Sequence, residues 1–169
     1  MADVVELYGG PPAVDQSGNL TIWWVPTIVD VTKPKLTEIG AGKRITYSFL
    51  PNGWGYDATT EKLPDDRLTD PMGGESLGRT KPTFNDLLYV DSTAATSAAV
   101  ILKDGGPGYF VERRNVPQTA LGAIADKVRV LQVTLAMPTP GETAGAGKFS
   151  RKQAVAISGG IPEEVAVVA

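Results

Sequence analysis

Histidine and cysteine are both missing from the 169 residues, which removes the two side chains that most often carry proton transfer, nucleophilic attack and zinc ligation near neutral pH. Without cysteine the fold is held by its core alone, and a chain of this length can bury roughly two-thirds of its unfolded surface in one domain. No stretch approaches the roughly 20 apolar residues that span a bilayer, and Met1 to Glu6 carry neither a basic leader nor an apolar core, so no targeting or membrane segment is expected. Charge of one sign is also scarce. Nineteen acids against sixteen bases leave a net charge of −3, which argues against tight binding to a phosphate backbone. The imbalance is local: Asp57, Glu61, Asp65, Asp66 and Asp70 stand against Lys62 and Arg67. Such a cluster reads as a solvated loop, a charged contact with a neighbouring chain, or a cation site.

What is present reads as β. Residues 19–25 are β-branched and aromatic, between Gly18 and Pro26, and form a strand stopped by proline. Residues 44–50 alternate, placing Ile45, Tyr47 and Phe49 on a packed face and Thr46 and Ser48 on a wet one. Proline and glycine recur through residues 51–82, too often for one continuous element, although 58–63 suits a short strand. That stretch is long for a passive connection, so it reads as a functional loop or one ordered by a partner. Strand character returns at 83–90, 109–113, 127–137, 149–158 and 164–168. In 127–137 the apolar phase changes between Val130 and Leu131, which predicts a bulge or a long curved strand. One short helix is expected within 92–102, before Gly105-Gly106, and a single helical turn after Thr32, where Leu36 and Ile39 precede Gly40. Trp23 and Trp24, neighbours on a strand, must point to opposite faces.

Catalytic signals are weak. Asp65, Asp66 and Asp70 lack the spacing of a calcium loop, and Gly73-Gly74 and 105–108 lack the Gly-Lys-Ser/Thr of a phosphate loop. No nucleophile elbow is present. The expectation is a protein that is not an enzyme and that holds neither metal nor cofactor. A different class of reading is a surface-binding sandwich, with Trp23, Trp24, Trp54 and Tyr56 as a carbohydrate platform.

The run Trp23-Trp24-Val25-Pro26-Thr27-Ile28 continues through residues 33–42, Ile45 and Tyr47 to the aromatic-glycine turn Gly53-Trp54-Gly55. Further on come the acidic turn 63–68, the strand end 87–91, the glycine turn before Tyr109-Phe110-Val111, and Arg113-Arg114. In these pieces together, over roughly residues 15–135, the chain resembles the major tail protein, or tail tube protein, of long-tailed non-contractile phages of actinobacteria. The link between Arg114 and Leu121 departs from that pattern, as does the Gly- and Ala-rich C-terminus.

The resemblance implies an all-β fold, a small β-barrel or sandwich of about seven or more mainly antiparallel strands with one short flanking helix and a long inserted loop, in a single domain with an N-terminal arm at 1–18. It implies that six copies form a ring and that rings stack into a tube carrying double-stranded DNA. The implied partners are the tape measure protein in the lumen and the terminator and baseplate or tip proteins at the ends. The implied location is the virion tail, after synthesis in the host cytoplasm; a terminator or head-tail joining ring is the alternative within the same class. In that picture loop 51–82, with Trp54, Tyr56, Asp57, Glu61, Asp65, Asp66, Arg67, Asp70, Arg79 and Lys81, makes the assembly contacts. Thr46, Ser48, Gln132 and Thr134 face the lumen, while Trp23, Trp24, Ile45, Tyr47, Phe49, Val133 and Leu135 pack inside. Arg44, Lys127 and Arg129 are expected to be paired or to lie near strand ends, because a conduit should not grip DNA.

Overall fold

A computed structural model describes residues 13–65, 74–141 and 149–169. In chain order the elements are β1 (Leu20–Val25), α1 (Leu36–Ala41), β2 (Lys43–Arg44), β3 (Tyr56–Asp65), β4 (Gly74–Phe84), β5 (Leu87–Val90), α2 (Ala98–Ile101), β6 (Gly106–Arg114), β7 (Lys127–Leu135), β8 (Thr139–Pro140), β9 (Ser150–Gln153), β10 (Val155–Ile157) and β11 (Val165–Ala166). The fold is all-β, with two short helices and antiparallel strand pairing.

The main sheet runs β10-β7-β6-β1-β2, and β11 shares the outer edge of β7 with β10. Its two faces are covered by different layers. On one face Ile22, Phe110, Leu131, Val133 and Leu135 pack against Leu87 and Tyr89 of the β5-β9-β8 sheet and against Ala98, Ala99 and Leu102 around α2. On the other, Trp23, Val25, Val111, Val128 and Val130 pack against Ile28, Ile39 of α1 and Val167 near the C-terminus. Trp23 and Trp24 divide between these cores as strand alternation requires: Trp23 is 5% exposed in the second, and Trp24 lies half-buried against Phe110 at 4.9 Å in the first.

This double burial explains the phase change in β7. Val128 and Val130 point into one core, and Leu131, Val133 and Leu135 into the other. Of the expected bulge or long curved strand, the bulge is absent here, because nine-residue β7 pairs with β6 without a shift from Gly106↔Leu135 to Glu112↔Arg129. A strand buried on both faces loses its clean alternation with no change of register.

Residues 44–50 also differ from expectation. Only Lys43 and Arg44 pair with β1, and Thr46–Ser48 form a 3₁₀ turn. Tyr47, expected in the core, is 82% exposed; Ile45 is buried and Phe49 half-buried against the first core. The turn survives because its hydroxyls replace a strand's backbone groups. Thr46 Oγ1 accepts from the Ile22 N–H at 2.8 Å, and Ser48 Oγ accepts from the Ala98 N–H at 3.0 Å. The helix expected within 92–102 is confined to one turn capped by Ser97, whose Oγ accepts from the Ala99 N–H. The 83–90 and 149–158 stretches are each interrupted, at Asn85-Asp86 and at Ala154.

Candidate assembly surface

The long 51–82 stretch, expected as a loop with a short strand at 58–63, carries two long paired strands. Its strands β3 and β4 pair from Tyr56↔Phe84 to Asp65↔Gly74, with an irregularity between Thr60 and Lys62. Pro64 and Pro82 are tolerated because both strands of a lone hairpin are edges, where a missing N–H harms no ladder beyond the pair. Alternation gave no signal, since neither face of the hairpin is covered along most of its length: every β3 residue after Tyr56 is exposed. The readable hint is threonine in both strands, and Thr60 and Thr80 do meet across them, Oγ1 to Oγ1, at 2.9 Å.

The root is fixed by an aromatic and ionic cluster. The Trp54 ring lies 5.3 Å from Phe49 and 5.1 Å from both Phe84 and Phe110. Its Nε1–H donates to Glu112 Oε2 at 3.0 Å, and Arg114 donates to the other oxygen of the same buried carboxylate. The Tyr56 hydroxyl accepts from Arg129 at 2.7 Å and from Arg114 at 3.2 Å, and both guanidiniums lie over its ring. Burial pushes the Tyr56 phenol above its ordinary range, against the downward pull of the Arg129 hydrogen bond. Arg129 is thus held by Tyr56, and Arg44 by the carbonyls of Gln118 and Ala120. Glu112 escaped notice in the sequence because a charge on an apolar strand looks like its solvent side, and Arg114 was read only as part of the Arg113-Arg114 pair.

Beyond the root, the acidic segment is partly balanced by its neighbours. Asp57 and Glu61 lie exposed on β3, and the paired strand brings Arg79 and Lys81 beside them. Lys62 and Glu75 form a 3.3 Å ion pair in full contact with solvent, worth little to stability. Asp65 ends β3, while Asp66, Arg67 and Asp70 lie outside the described residues. Among the described residues no group of three or more acids is placed to hold a metal ion. The distal half carries Leu77, 78% exposed, and Leu63, 49% exposed, on opposite faces of the hairpin, since each sits across from a polar partner, Lys62 and Ser76.

Of the expected lumen residues, Gln132 and Thr134 sit together on the uncovered part of β7, and Thr134 shares a 3.1 Å hydroxyl contact with Ser158. Thr46 and Ser48 do not join them; they are half-buried and engaged in the 3₁₀ turn. The aromatic platform is not formed either, because Trp23 is buried and Trp24 and Trp54 pack against Phe110.

A second buried charge lies at the same end of β6, on its opposite face against Trp23. Arg113 is fully buried, pairs with Asp126 at 2.7 Å, and donates to the carbonyls of Ala120 and Leu121. Desolvation pushes the Asp126 carboxyl up, but the Arg113 hydrogen bond, the Ala123 N–H and the Arg113 charge together leave it below the usual carboxylate range.

Among the described residues, the two-stranded arm is rooted in the sandwich at Trp54, Tyr56 and Phe84 and left uncovered along most of its length. Comparison with curated proteins gives no match. The family profile described as phage tail tube protein matches residues 10–169. With nearly the whole length matched, the chain belongs to the phage tail tube protein family.

Proposed function

We propose that six copies of this chain close into a ring, and that rings stack into the tube of a long-tailed, non-contractile phage of actinobacteria, through which double-stranded DNA passes. The family is structural and not an enzyme family, and it places the chain in the virion tail as a self-assembling subunit. The observation that carries the assembly reading is the β3–β4 hairpin. At roughly 3.3 Å per residue its strands reach about 33 Å, and a lone hairpin in water is marginal at best. Its two edges, unpaired among the described residues, and its exposed Leu63 and Leu77 are surfaces that a neighbouring copy covers. Passage of DNA is supported by the uncharged Gln132 and Thr134 on an open sheet face and by a net charge that denies phosphate any counterion-release affinity. Tape measure protein in the lumen, terminator and tip proteins at the ends, and synthesis in the host cytoplasm complete this reading.

Replacing residues 58–82 by a short Gly-Ser link spares Tyr56 and Phe84 at the root. The expected product is a folded monomer by circular dichroism that forms no tubes in electron micrographs. Normal tubes from it would sink the role given to the hairpin.

A further inference from the structure

Beyond β10 the chain passes through Gly159, Gly160 and Pro162 and returns to the second core as a strap. Its β11 pairs with the start of β7, Val165↔Val128 and Ala166↔Lys127. The Val167 N–H donates to the Asp126 carbonyl and the Ala125 N–H to the Val167 carbonyl, both at 2.9 Å, while the Val168 carbonyl accepts from the Leu36 N–H at 2.8 Å where α1 begins. We propose that this strap is a latch, closed over the outer edge of β7 in the free chain and lifted when the chain joins an assembly; the assignment rests on the self-assembly reading above and names a step that controls it.

Three observations lead there. The first is what the strap shields. On its outer side the nine-residue β7 is paired by β10 over residues 133–135 and by β11 over 127–128, and a long strand edge left bare is a template for pairing with another chain. With the strap lifted, no strand among the described residues covers that edge from Lys127 to Leu131.

The second is that the closure is partial. Between β10 and β11 the connecting residues stand off from β7, leaving an open notch of about 190 Å³ walled by Val31, Val130, Gly159, Ile161 and Pro162. The third is how lightly the strap is held. Val167 is buried in the second core with Ile39 and Val128, but Val165 is only half-buried and Ala166 is exposed. Segments anchored by few buried contacts are the ones that open at least cost. Gly159-Gly160 supplies the backbone freedom of a hinge, and Ile161, resting on the first core, holds the upstream side while the strap swings.

Because the chain contains no cysteine, an engineered pair makes a single disulfide. Lys127 and Ala166 are exposed and directly opposed across the ladder. Opposed residues of antiparallel strands have Cα atoms about 4.5–5.5 Å apart, within the span that a disulfide bridges. The double variant Lys127→Cys, Ala166→Cys should form tubes like the unmodified chain when reduced. Oxidised, with the latch locked, it should stay a folded monomer by circular dichroism and give at least tenfold fewer tubes in electron micrographs, and reductant should restore them. Val167→Ala loosens the latch, and the folded variant should form tubes at a concentration at least threefold lower than the unmodified chain; the disulfide decides the matter even where this variant fails to fold. Equal tubes from the oxidised and reduced forms, or an unchanged threshold for folded Val167→Ala, overturn the latch and leave self-assembly standing. Unmodified chain that forms no tubes at any concentration overturns the self-assembly reading and the latch with it.

Discussion

Close packing between β1 and β6 depends on one missing side chain. Gly108 lies under the Trp24 indole, and a Cβ there would collide with the far edge of the ring. The ring cannot swing freely because Phe110 flanks it. Gly108→Ala is therefore expected to lower stability by about 1–3 kcal/mol through overpacking, measured by urea unfolding, and to change the near-ultraviolet circular dichroism of Trp24. The buried Arg113 makes a different demand. With the Asp126 carboxyl held below its ordinary value in the folded chain, its contribution is complete above the unfolded value of about 4 and is lost as pH falls through the folded one. Melting temperature should decline below about pH 4, and Asp126→Asn should flatten that decline. The same substitution leaves a buried guanidinium without its counter-charge, and at neutral pH it should lower stability by about 3 kcal/mol.

Among the elements, the hairpin depends on its root for direction. Glu112 takes both the Trp54 indole N–H and the Arg114 guanidinium, so Glu112→Ala leaves the half-buried Trp54 N–H without its acceptor and frees the exposed Arg114, a loss of about 1–3 kcal/mol. Limited proteolysis should then cut β3 and β4 faster, whereas Glu112→Gln, which keeps an acceptor for Trp54, should resist nearly as well as the unmodified chain. Equal cleavage of the two variants would remove the root from this role.

Legibility in the sequence followed packing. Strands β1, β6 and β7 announced themselves because their branched and aromatic side chains fill a core, and the opposed tryptophans follow from alternation alone. Residues 44–50 misled for the same reason: Ile45, Tyr47 and Phe49 alternate perfectly, but Thr46 and Ser48 bond to Ile22 and Ala98 and bend the chain into a turn. Nothing local in the sequence identifies those distant partners. Of the hairpin only a short strand at 58–63 was legible, within what is β3, because the described residues leave its faces uncovered and it shows no apolar period to read.

For the whole molecule, the proposed conduit sets a charge condition on the uncovered β7 face. Gln132→Lys and Thr134→Lys change exposed side chains and should leave the fold intact. In assembled tubes they multiply around every ring, and DNA retention should appear at low salt and fade as salt rises. Tubes of the double variant that hold no more DNA than unmodified ones, across a salt series, would move the lumen to another face.

The β6–β7 ladder serves both hydrophobic layers at once, with Phe110 and Leu131 on one side and Val111 and Val130 on the other. Neither layer can melt while the ladder stands, and loss of the ladder opens both. The amides of these two strands should therefore exchange hydrogen only through global unfolding, whereas the hairpin exchanges through local opening. Partly unfolded subunits, the species with sticky strand edges that derail polymerisation, are kept rare by this coupling. Quality control of the growing tube begins inside the free monomer.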